Sequence, residues 1–228
     1  MRLTGIEKSY GERLVLDGLS LELPEGEITC ILGRSGAGKT TLLNILAGLL
    51  PYEGEIAPLP KQVGYVFQES RLLPYLTVRE NLLYAGGKSE WIDEALQKAG
   101  VSALADRKAG SLSGGEKRRV ALLRAFCIDA DLVLLDEPFS ALDTVSKAQM
   151  LGFAWDLIRG GGKRAVFVTH DLDEAISLAD TVAVLDEGKI VFSMRLPVAN
   201  EPREYGKYLN ERQQLLKVMK NTKDTGRI

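Results

Sequence analysis

One stretch decides how this chain folds: Gly33-Arg34-Ser35-Gly36-Ala37-Gly38-Lys39-Thr40-Thr41, which fits the phosphate-loop pattern G-x-x-x-x-G-K-[ST] at every fixed position. The apolar residues 28–32 before it predict a buried strand, and residues 41–47 after it predict a helix that stops at Gly48. Backbone N–H groups and a helix N-terminus together attract anions. We therefore expect Lys39 to reach the β- and γ-phosphates of a nucleotide and Thr40 to ligate Mg²⁺. This context disfavours a glycine turn that only caps a helix.

Length and composition allow one large domain, or one and a half small ones, with a full core. The chain has 228 residues, of which 45% are hydrophobic, and its net charge is −2. Nothing in that charge indicates nucleic acid as an obligatory partner. Cys30 and Cys127 lie in apolar segments, where we expect small buried hydrophobes rather than a disulfide. No apolar run approaches the ~20 residues of a membrane span and no signal peptide is visible, so we expect a soluble protein.

The residues before the phosphate loop have the pattern of antiparallel β structure. Residues 3–10 and 19–32 are predicted to be extended, because Leu19, Leu21 and Leu23 alternate with polar or turn residues. Tyr10 lies at a polar bend. An aromatic ring there could stack on a nucleotide base or could be an ordinary surface tyrosine, and its position alone leaves both readings open.

Residues 62–67 predict a further strand, which ends at Gln68. Beside a nucleotide pocket this glutamine could contact Mg²⁺ or the attacking water, or it could be an ordinary polar strand end. The following residues, from Glu69 to about Ser111, are predicted to be helical throughout, and residues 69–120 are predicted to form an inserted helical subdomain. Thr77 and Glu80 have the spacing of a capping box, and a second helix begins at Ser89 and closes at Gly100.

The stretch Leu112-Ser113-Gly114-Gly115-Glu116 opens a long helix over residues 117–126. Ser113 and Glu116 have capping-box spacing, which by itself indicates only a well-made helix start. Two adjacent glycines cost about 1 kcal/mol each inside a helix, so they indicate that something approaches the backbone closely. A second exposed helix N-terminus is also a second phosphate-binding surface. The basic residues after it are predicted to form a solvated face, and a basic face near a phosphate is the alternative: Lys117, Arg118 and Arg119.

Two carboxylates follow a buried strand at the end where α/β sheets bind ligands. Asp136 and Glu137 come after the predicted strand over residues 131–135, which is apolar from Leu132 on, and Pro138 forces the strand to end there. We expect Asp136 to hold Mg²⁺, usually through its waters, and Glu137 to orient and deprotonate the attacking water. His170, the one histidine of the chain, ends the strand over residues 164–169. It should therefore lie on the same sheet edge.

The order of these motifs resembles the ATP-binding cassette (ABC) ATPases, from Tyr10 to about Phe192. Residues 33–41 resemble the Walker A loop, residues 112–116 the ABC signature, and residues 132–137 the Walker B strand with its catalytic glutamate. Gln68 matches the Q-loop, residues 140–143 match the D-loop, and His170 matches the switch histidine. Tyr10 matches the aromatic residue that stacks on adenine. Glu116 replaces the commoner glutamine, which we expect to matter only for fine tuning.

The resemblance implies an α/β fold: a P-loop NTPase core with a mainly parallel sheet, an N-terminal antiparallel β subdomain and an inserted α-helical subdomain. It implies one ABC ATPase domain over residues 1–228, with the helical subdomain at 69–120 and a C-terminal helical tail at 195–228.

It also implies a head-to-tail pair of chains, in which each ATP lies between the Walker A loop of one copy and the signature of the other. The catalytic residues are then Glu137, His170 and Gln68. The Mg²⁺ ligands are Thr40, Gln68 and Asp136. The residues expected to contact ATP are Tyr10, Gly33, Ser35, Gly36, Gly38, Lys39, Thr40, Thr41, Ser113, Gly114, Gly115 and Asp143.

Residues 66–78 and 169–180 are similar to the ATPase subunits of bacterial nitrate, sulfonate, taurine and thiamine-precursor importers. This implies transmembrane permease partners, a solute-binding protein that acts indirectly, no nucleic acid, and a place on the cytoplasmic inner face of the membrane. The solute itself is chosen by the permease and binding protein.

Three alternatives compete with the importer. One is a cassette that serves an exporter or a lipoprotein or cell-division complex. The second is a soluble, non-transport ABC ATPase on nucleic acid or ribosomes, against which count the near-neutral charge and the lack of a long coiled coil or second cassette. The third, a nucleotide-binding regulator without catalysis, would be expected to lack Glu137 or His170.

Overall fold

The structure, a computed structural model, describes residues 1–140 and 142–224. Its strands, in chain order, are β1 Arg2–Tyr10, β2 Arg13–Glu22, β3 Ile28–Leu32, β4 Glu53–Ala57, β5 Val63–Val66, β6 Leu132–Asp136, β7 Arg164–Thr169, β8 Thr181–Asp186 and β9 Lys189–Arg195. The α-helices are α1 Lys39–Leu46, α2 Val78–Tyr84, α3 Ser89–Lys98, α4 Gly114–Ala125, α5 Thr144–Gly160, α6 Leu172–Leu178 and α7 Leu209–Asp224.

The strands form two sheets, as expected for the fold class. Strands β2, β1 and β4 make an antiparallel sheet, and a larger sheet has the order β5-β6-β7-β3-β8-β9. All its neighbours are parallel except the β8–β9 hairpin. Strands β3 and β6 are buried along their whole length, as apolar strands covered on both faces must be. One face packs against α1 and the antiparallel sheet, the other against α5 and α6.

The strand order places the site. Strands β6, β7 and β3 are adjacent and parallel, so their carboxyl ends lie side by side at one edge of the sheet. The phosphate loop follows β3, Glu137 follows β6 and His170 follows β7. Three segments that are distant in sequence therefore meet where doubly wound sheets bind their ligands.

Helices α2, α3 and part of α4 share a core of their own, which includes Val78, Leu82, Ile92 and Val120. These contacts are the basis on which we propose residues 69–120 as a subdomain. The expectation that the block is helical throughout is wrong for residues 69–77, which form an irregular loop. The buried Asn81 holds that loop, because its amide donates to the carbonyls of Leu73 and Thr77 and its oxygen accepts from the Leu73 N–H.

The C-terminal tail is helical only in its last part. The sequence predicts a helical tail over residues 195–228, but residues 196–204 are irregular and the helix α7 begins at Leu209. Arg203, which is buried, holds the irregular part by donating to the carbonyls of Ile176, Ala179 and Pro197. A guanidinium bound to three carbonyls fixes this segment without a helix. Residues 225–228 lie outside the described residues.

Candidate active site

The phosphate loop needs glycine at two of its positions for reasons within the fold. A Cβ on Gly33 would lie 2.5 Å from the carbonyl oxygen of Leu185. Gly38 has a φ of +103°, and a Cβ there would lie 3.0 Å from the carbonyl oxygen of Val15. Gly36 also has a positive φ, +83°, but its Cβ would meet no atom within 4 Å. The first two glycines are therefore required by packing, and the third faces open space where a ligand can approach.

Lys39 is the buried cation of the site. Its Nζ donates to the carbonyls of Gly33 at 2.8 Å and Arg34 at 3.0 Å, and it lies 3.7 Å from Glu137 Oε1. Burial lowers the pKa of Lys39, although the neighbouring carboxylates of Glu137 and Asp136 act in the opposite direction. Two carbonyls and a carboxylate thus hold the ammonium group inside the loop.

Thr40 and Asp136 bring two oxygens together at the start of α1. Thr40 Oγ1 donates to Asp136 Oδ1 at 3.3 Å. Burial raises the pKa of Asp136, and the hydrogen bond from Thr40 opposes that rise. Hydroxyl and carboxylate oxygens are hard ligands of the kind that Mg²⁺ prefers, so this pair fits the cation chemically.

The backbone conformation of Glu137 brings its side chain into the same site as that of Asp136. Adjacent residues of a strand point to opposite faces, so Asp136 and Glu137 can share a site only if the strand ends between them. Glu137 has a φ of +45°, in the left-handed region, and its N–H donates to the carbonyl of Val168 at 3.1 Å. Its Oε1 consequently lies 3.4 Å from Nδ1 of His170, whose side chain is 62% exposed.

Lys39, Thr40 and Glu137 line one cavity of about 380 Å³, whereas Asp136 and His170 do not line it and adjoin it through Thr40 and Glu137. It is lined by Tyr10, Arg13, Val15, Ser35, Gly36, Gly38, Lys39, Thr40, Thr41, Gln68 and Glu137. The Tyr10 residue is 50% exposed at its edge, where a planar base could stack. The volume and the mixture of a cation, hydroxyls and one aromatic ring suit a nucleotide.

Sequence reasoning missed Arg13 and Val15. Both belong to β2, whose first half was not predicted because its alternation begins to be regular only near Leu19. Tyr10 was the feature from which these two residues could have been found. The antiparallel pairing of β1 with β2 sets Arg13 opposite Tyr10 and so carries the strand to the same cavity.

Four residues expected to contact ATP lie apart from this cavity, and a fifth, Gly33, packs against Leu185 and does not line the cavity either. Ser113 caps α4, accepting from the Glu116 N–H at 3.3 Å while Glu116 Oε2 accepts from the Ser113 N–H at 2.7 Å. A Cβ on Gly114 or Gly115 would meet nothing within 4 Å. Asp143 caps α5. In the part of the chain that the structure describes, none of these four residues lines the cavity. Ala141, within the predicted D-loop, lies outside the described residues.

The predicted solvated face after the signature is wrong for two of its arginines. Arg118 donates to the carbonyls of Phe67 and Gln68 and to Ser140 Oγ. Arg119 donates to the carbonyl of Ala99 at 3.3 Å and to Gln149 Oε1 at 3.1 Å. The helical repeat indicates that Arg118 faces the core, because the buried Leu122 and Ala125 lie four and seven residues further on, on the same side of the helix. Arg118 therefore shares the face of α4 that packs on the core.

Comparison of the sequence with known proteins gives a family whose members bind ATP, as the residues around the cavity would allow. A family profile described as "ABC transporter" matches residues 16–140. Among curated proteins, the chain is 41% identical over 211 residues to an aliphatic sulfonates import ATP-binding protein, SsuB 2, of Rhodococcus jostii, covering 90% of this chain and 86% of the relative. It is 42% identical over 205 residues to SsuB 3 of Paraburkholderia xenovorans, covering 87% and 81%.

Solved structures share the fold. The dimeric structure of MJ0796, a bacterial ABC transporter cassette, superposes with a TM-score of 0.76 at 30% identity, covering 87% of this chain and 99% of that one. A post-hydrolysis state of the same cassette, bound to ADP and Pi, has a TM-score of 0.74 at 31% identity with the same coverage.

Proposed function

The chain belongs to the ABC transporter family of ATPases, and from that premise we propose that it is the ATP-hydrolysing subunit of a bacterial-type importer. The observation that carries the hydrolytic part is the position of Glu137, whose Oε1 lies 3.7 Å from Lys39 Nζ and 3.4 Å from His170 Nδ1. The import part rests on the relatives, which are named as import ATP-binding proteins. Their names make an aliphatic sulfonate the first solute to test.

Each group around the cavity has a step in the proposed hydrolysis. Lys39 and the loop N–H groups hold the β- and γ-phosphates, and Tyr10 stacks on the base. Glu137 takes the proton of the water that attacks the γ-phosphorus in line, while the bond between that phosphorus and the β–γ bridging oxygen breaks and ADP leaves. His170 steadies the γ-phosphate, and Gln68 senses its presence. Loss of that phosphate removes the negative charge that joins the two chains.

Mg²⁺ fits beside the phosphates, where it would neutralise charge on the β- and γ-oxygens. Thr40 and Asp136 are the ligands we propose for it, because their oxygens already lie 3.3 Å apart. Gln68, in the cavity wall, is the third candidate.

A second copy of the chain completes the site in this proposal. Ser113, Gly114 and Gly115 lie outside the cavity of their own chain, and the two glycines have open space beside them. A partner that docks head to tail would bring its own signature to the γ-phosphate bound by the first chain, with Asp143 near the same interface. A related cassette forms a dimer, which supports this arrangement.

A permease partner has a suitable surface to occupy. A groove of about 520 Å³ lies between the end of α1, strand β5 and the helical subdomain, and Leu49, Tyr65, Phe67 and Tyr84 line it. Leu49 is 58% exposed and Tyr84 is 78% exposed. Apolar groups left open to this extent mark interaction sites. We propose that the permease fills this groove and that the chain sits at the inner face of the membrane, with a solute-binding protein acting through the permease.

Within residues 1–140 and 142–224, the structure has no helix both long and apolar enough to cross a membrane.

Copurification of the tagged chain from native membranes tests the import role. We expect a polytopic permease and a solute-binding protein, whose ligand then identifies the cargo. Leu49→Glu should lose the permease and keep ATP hydrolysis, whereas Leu59→Glu, at an equally exposed leucine outside the groove, should lose neither. Recovery with ribosomes or DNA would instead indicate a non-transport ABC ATPase, and recovery with an exporter or lipoprotein complex would exclude import.

A further inference from the structure

Arg118 connects the helix that carries the signature to both catalytic loops. We propose that Arg118 is a positioning residue for hydrolysis, which sets the Gln68 segment and, through Ser140, the Glu137 backbone relative to α4. This inference rests on the proposed role of Glu137 as general base. It adds a residue that is not among those lining the cavity and that acts through residues which are, Gln68 and Glu137.

The contacts of Arg118 divide between two loops. One terminal nitrogen, Nη1, donates to the carbonyls of Phe67 and Gln68, at the end of β5. The other, Nη2, donates to Ser140 Oγ at 3.1 Å, in the segment after β6. The planar, forked guanidinium can serve both loops at once, which the single ammonium of a lysine cannot reproduce.

Ser140 passes the contact on to Glu137. Its hydroxyl donates to the Glu137 carbonyl at 3.0 Å, and its backbone N–H donates to the same oxygen at 3.2 Å. A hydroxyl can accept from an arginine while it donates to a carbonyl, so the three groups form a chain. Glu137 needs such restraint because a non-glycine residue with a φ of +45° is in a sparsely populated conformation, held only by its surroundings.

Arg118 is also distinct from the other arginines of its helix. Arg119, the next residue, points to Ala99 and Gln149, away from both loops. Arg124 donates to the carbonyls of Ser70 and Arg71, further along the loop after β5. Burial lowers the pKa of Arg118, while the nearby carboxylates of Asp136 and Glu137 favour its charge. Arg118 therefore makes both its hydrogen bonds and its charge interactions with groups at the edge of the sheet where Asp136 and Glu137 lie.

Arg118 lies near the N-terminus of α4, so a movement of that end of the helix would reach the groups that Arg118 contacts. Arg118 lies four residues after Gly114, about one turn along the helix. In the proposed dimer the N-terminus of α4 meets the ATP of the partner. A shift of that end on dimer closure would therefore move the carbonyls of Gln68 and Glu137 as well, and so would align the base of one site when the other site is filled.

The test compares ATP hydrolysis by the full chain with three single variants. Arg118→Met removes the donors and keeps the apolar stem. We expect kcat to fall by about 10- to 100-fold, as for a base misplaced by a fraction of an ångström to one ångström, with KM for ATP little changed. Arg118→Lys should be intermediate, and it serves as the second variant if Arg118→Met does not fold. Arg119→Met is the matched control and should keep kcat.

Double variants separate positioning from simple structural damage. If Arg118 acts through Ser140 and Glu137, then Ser140→Ala and Arg118→Met together should cost less than the product of their separate effects. In a Glu137→Gln background, Arg118→Met should lower turnover no further. Arg118→Met should unfold at a lower temperature than the parent chain, because it loses three hydrogen bonds, and each variant assayed should still be folded at the assay temperature.

Three results would overturn the inference: an unchanged kcat in Arg118→Met, equal losses in Arg118→Met and Arg119→Met, or a full additional loss in the Glu137→Gln background. Normal turnover by Glu137→Gln alone would remove the proposed base and this inference together. Loss in Glu137→Gln with normal turnover in Arg118→Met would remove this inference only.

Discussion

Glu137→Gln removes one negative charge and one proton acceptor while it keeps the size of the side chain. The native carboxylate is 17% exposed and lies 3.7 Å from Lys39 Nζ. A general base contributes about 10²- to 10⁴-fold to a rate, so the variant should lose that much turnover. At 1.36 kcal/mol for each factor of ten, this corresponds to about 3 to 5 kcal/mol added to the barrier.

The same substitution should leave ATP binding intact or make it tighter. The cavity loses a negative charge that opposes phosphate, while the loop, Tyr10 and Lys39 stay in place. Loss of the like charge should also lower the pKa of Asp136, which Glu137 helps to raise. Because closure continues without hydrolysis, an ATP-bound dimer should accumulate.

Phosphate release and light scattering with ATP measure these two outcomes. The matched control is Glu187→Gln, which makes the same change at another glutamate with a positive φ, +44°, exposed in the β8–β9 turn. The control should hydrolyse ATP as the parent does. Turnover of Glu137→Gln within about twofold of the parent would refute the general-base argument, since no base could then have been lost.

Two further predictions concern the signature and the acid stability of the chain. Gly114→Ala adds a Cβ where nothing lies within 4 Å, so the free energy of unfolding should stay level or rise by up to about 1 kcal/mol. ATP-driven dimerisation, measured by light scattering, should be lost. Intact dimerisation would contradict the proposal that the signature of one chain contacts the ATP of the other. Burial raises the pKa of Asp171, but hydrogen bonds from Lys147 and the α6 N–H groups outweigh it and the net pKa is lowered from 3.8. A carboxyl group whose pKa is lowered in the folded state stabilises the fold above pH 3.8, and this stability is lost as the pH falls through the pKa of the folded state. Asp171→Asn keeps a capping oxygen but loses the charge. It should therefore be less stable by about 1 kcal/mol at pH 7 in urea unfolding. The difference should close below pH 3.8, and a constant difference at all pH values would contradict the role of its charge.

Local features were predictable because a few neighbouring residues determine them. The capping boxes at Thr77 and Ser113 form as predicted, since each satisfies N–H groups within one helical turn. The end of β6 at Asp136 follows from Pro138. The ABC family and fold, inferred from the order of the motifs, are confirmed by the matching family profile and the solved cassettes. The roles of the site residues remain predictions.

Other expectations failed where a buried polar side chain takes up backbone groups that a helix would otherwise use. The loop over residues 69–77 is not helical because the buried Asn81, four to eight residues further on, takes up its backbone groups. The tail before α7 is irregular because Arg203 binds the carbonyls of Ile176 and Ala179 in another part of the chain, as well as that of Pro197 in the tail itself. No periodic pattern in either segment indicates these contacts.

The chemical groups of the site and the local conformations that carry them are evident from the amino-acid sequence: the phosphate loop between a strand and a helix, the acid pair at a strand end, and the glycines at a helix start. The adjacency of β6, β7 and β3 comes from the folded chain, and it brings Glu137 to within 3.4 Å of His170 and 3.7 Å of Lys39. The folded chain also determines that Arg118 faces the catalytic loops instead of solvent. The physical reason is range: capping and strand ends depend on residues a few positions apart, whereas strand order and the partner of a buried side chain depend on how the whole apolar surface is buried.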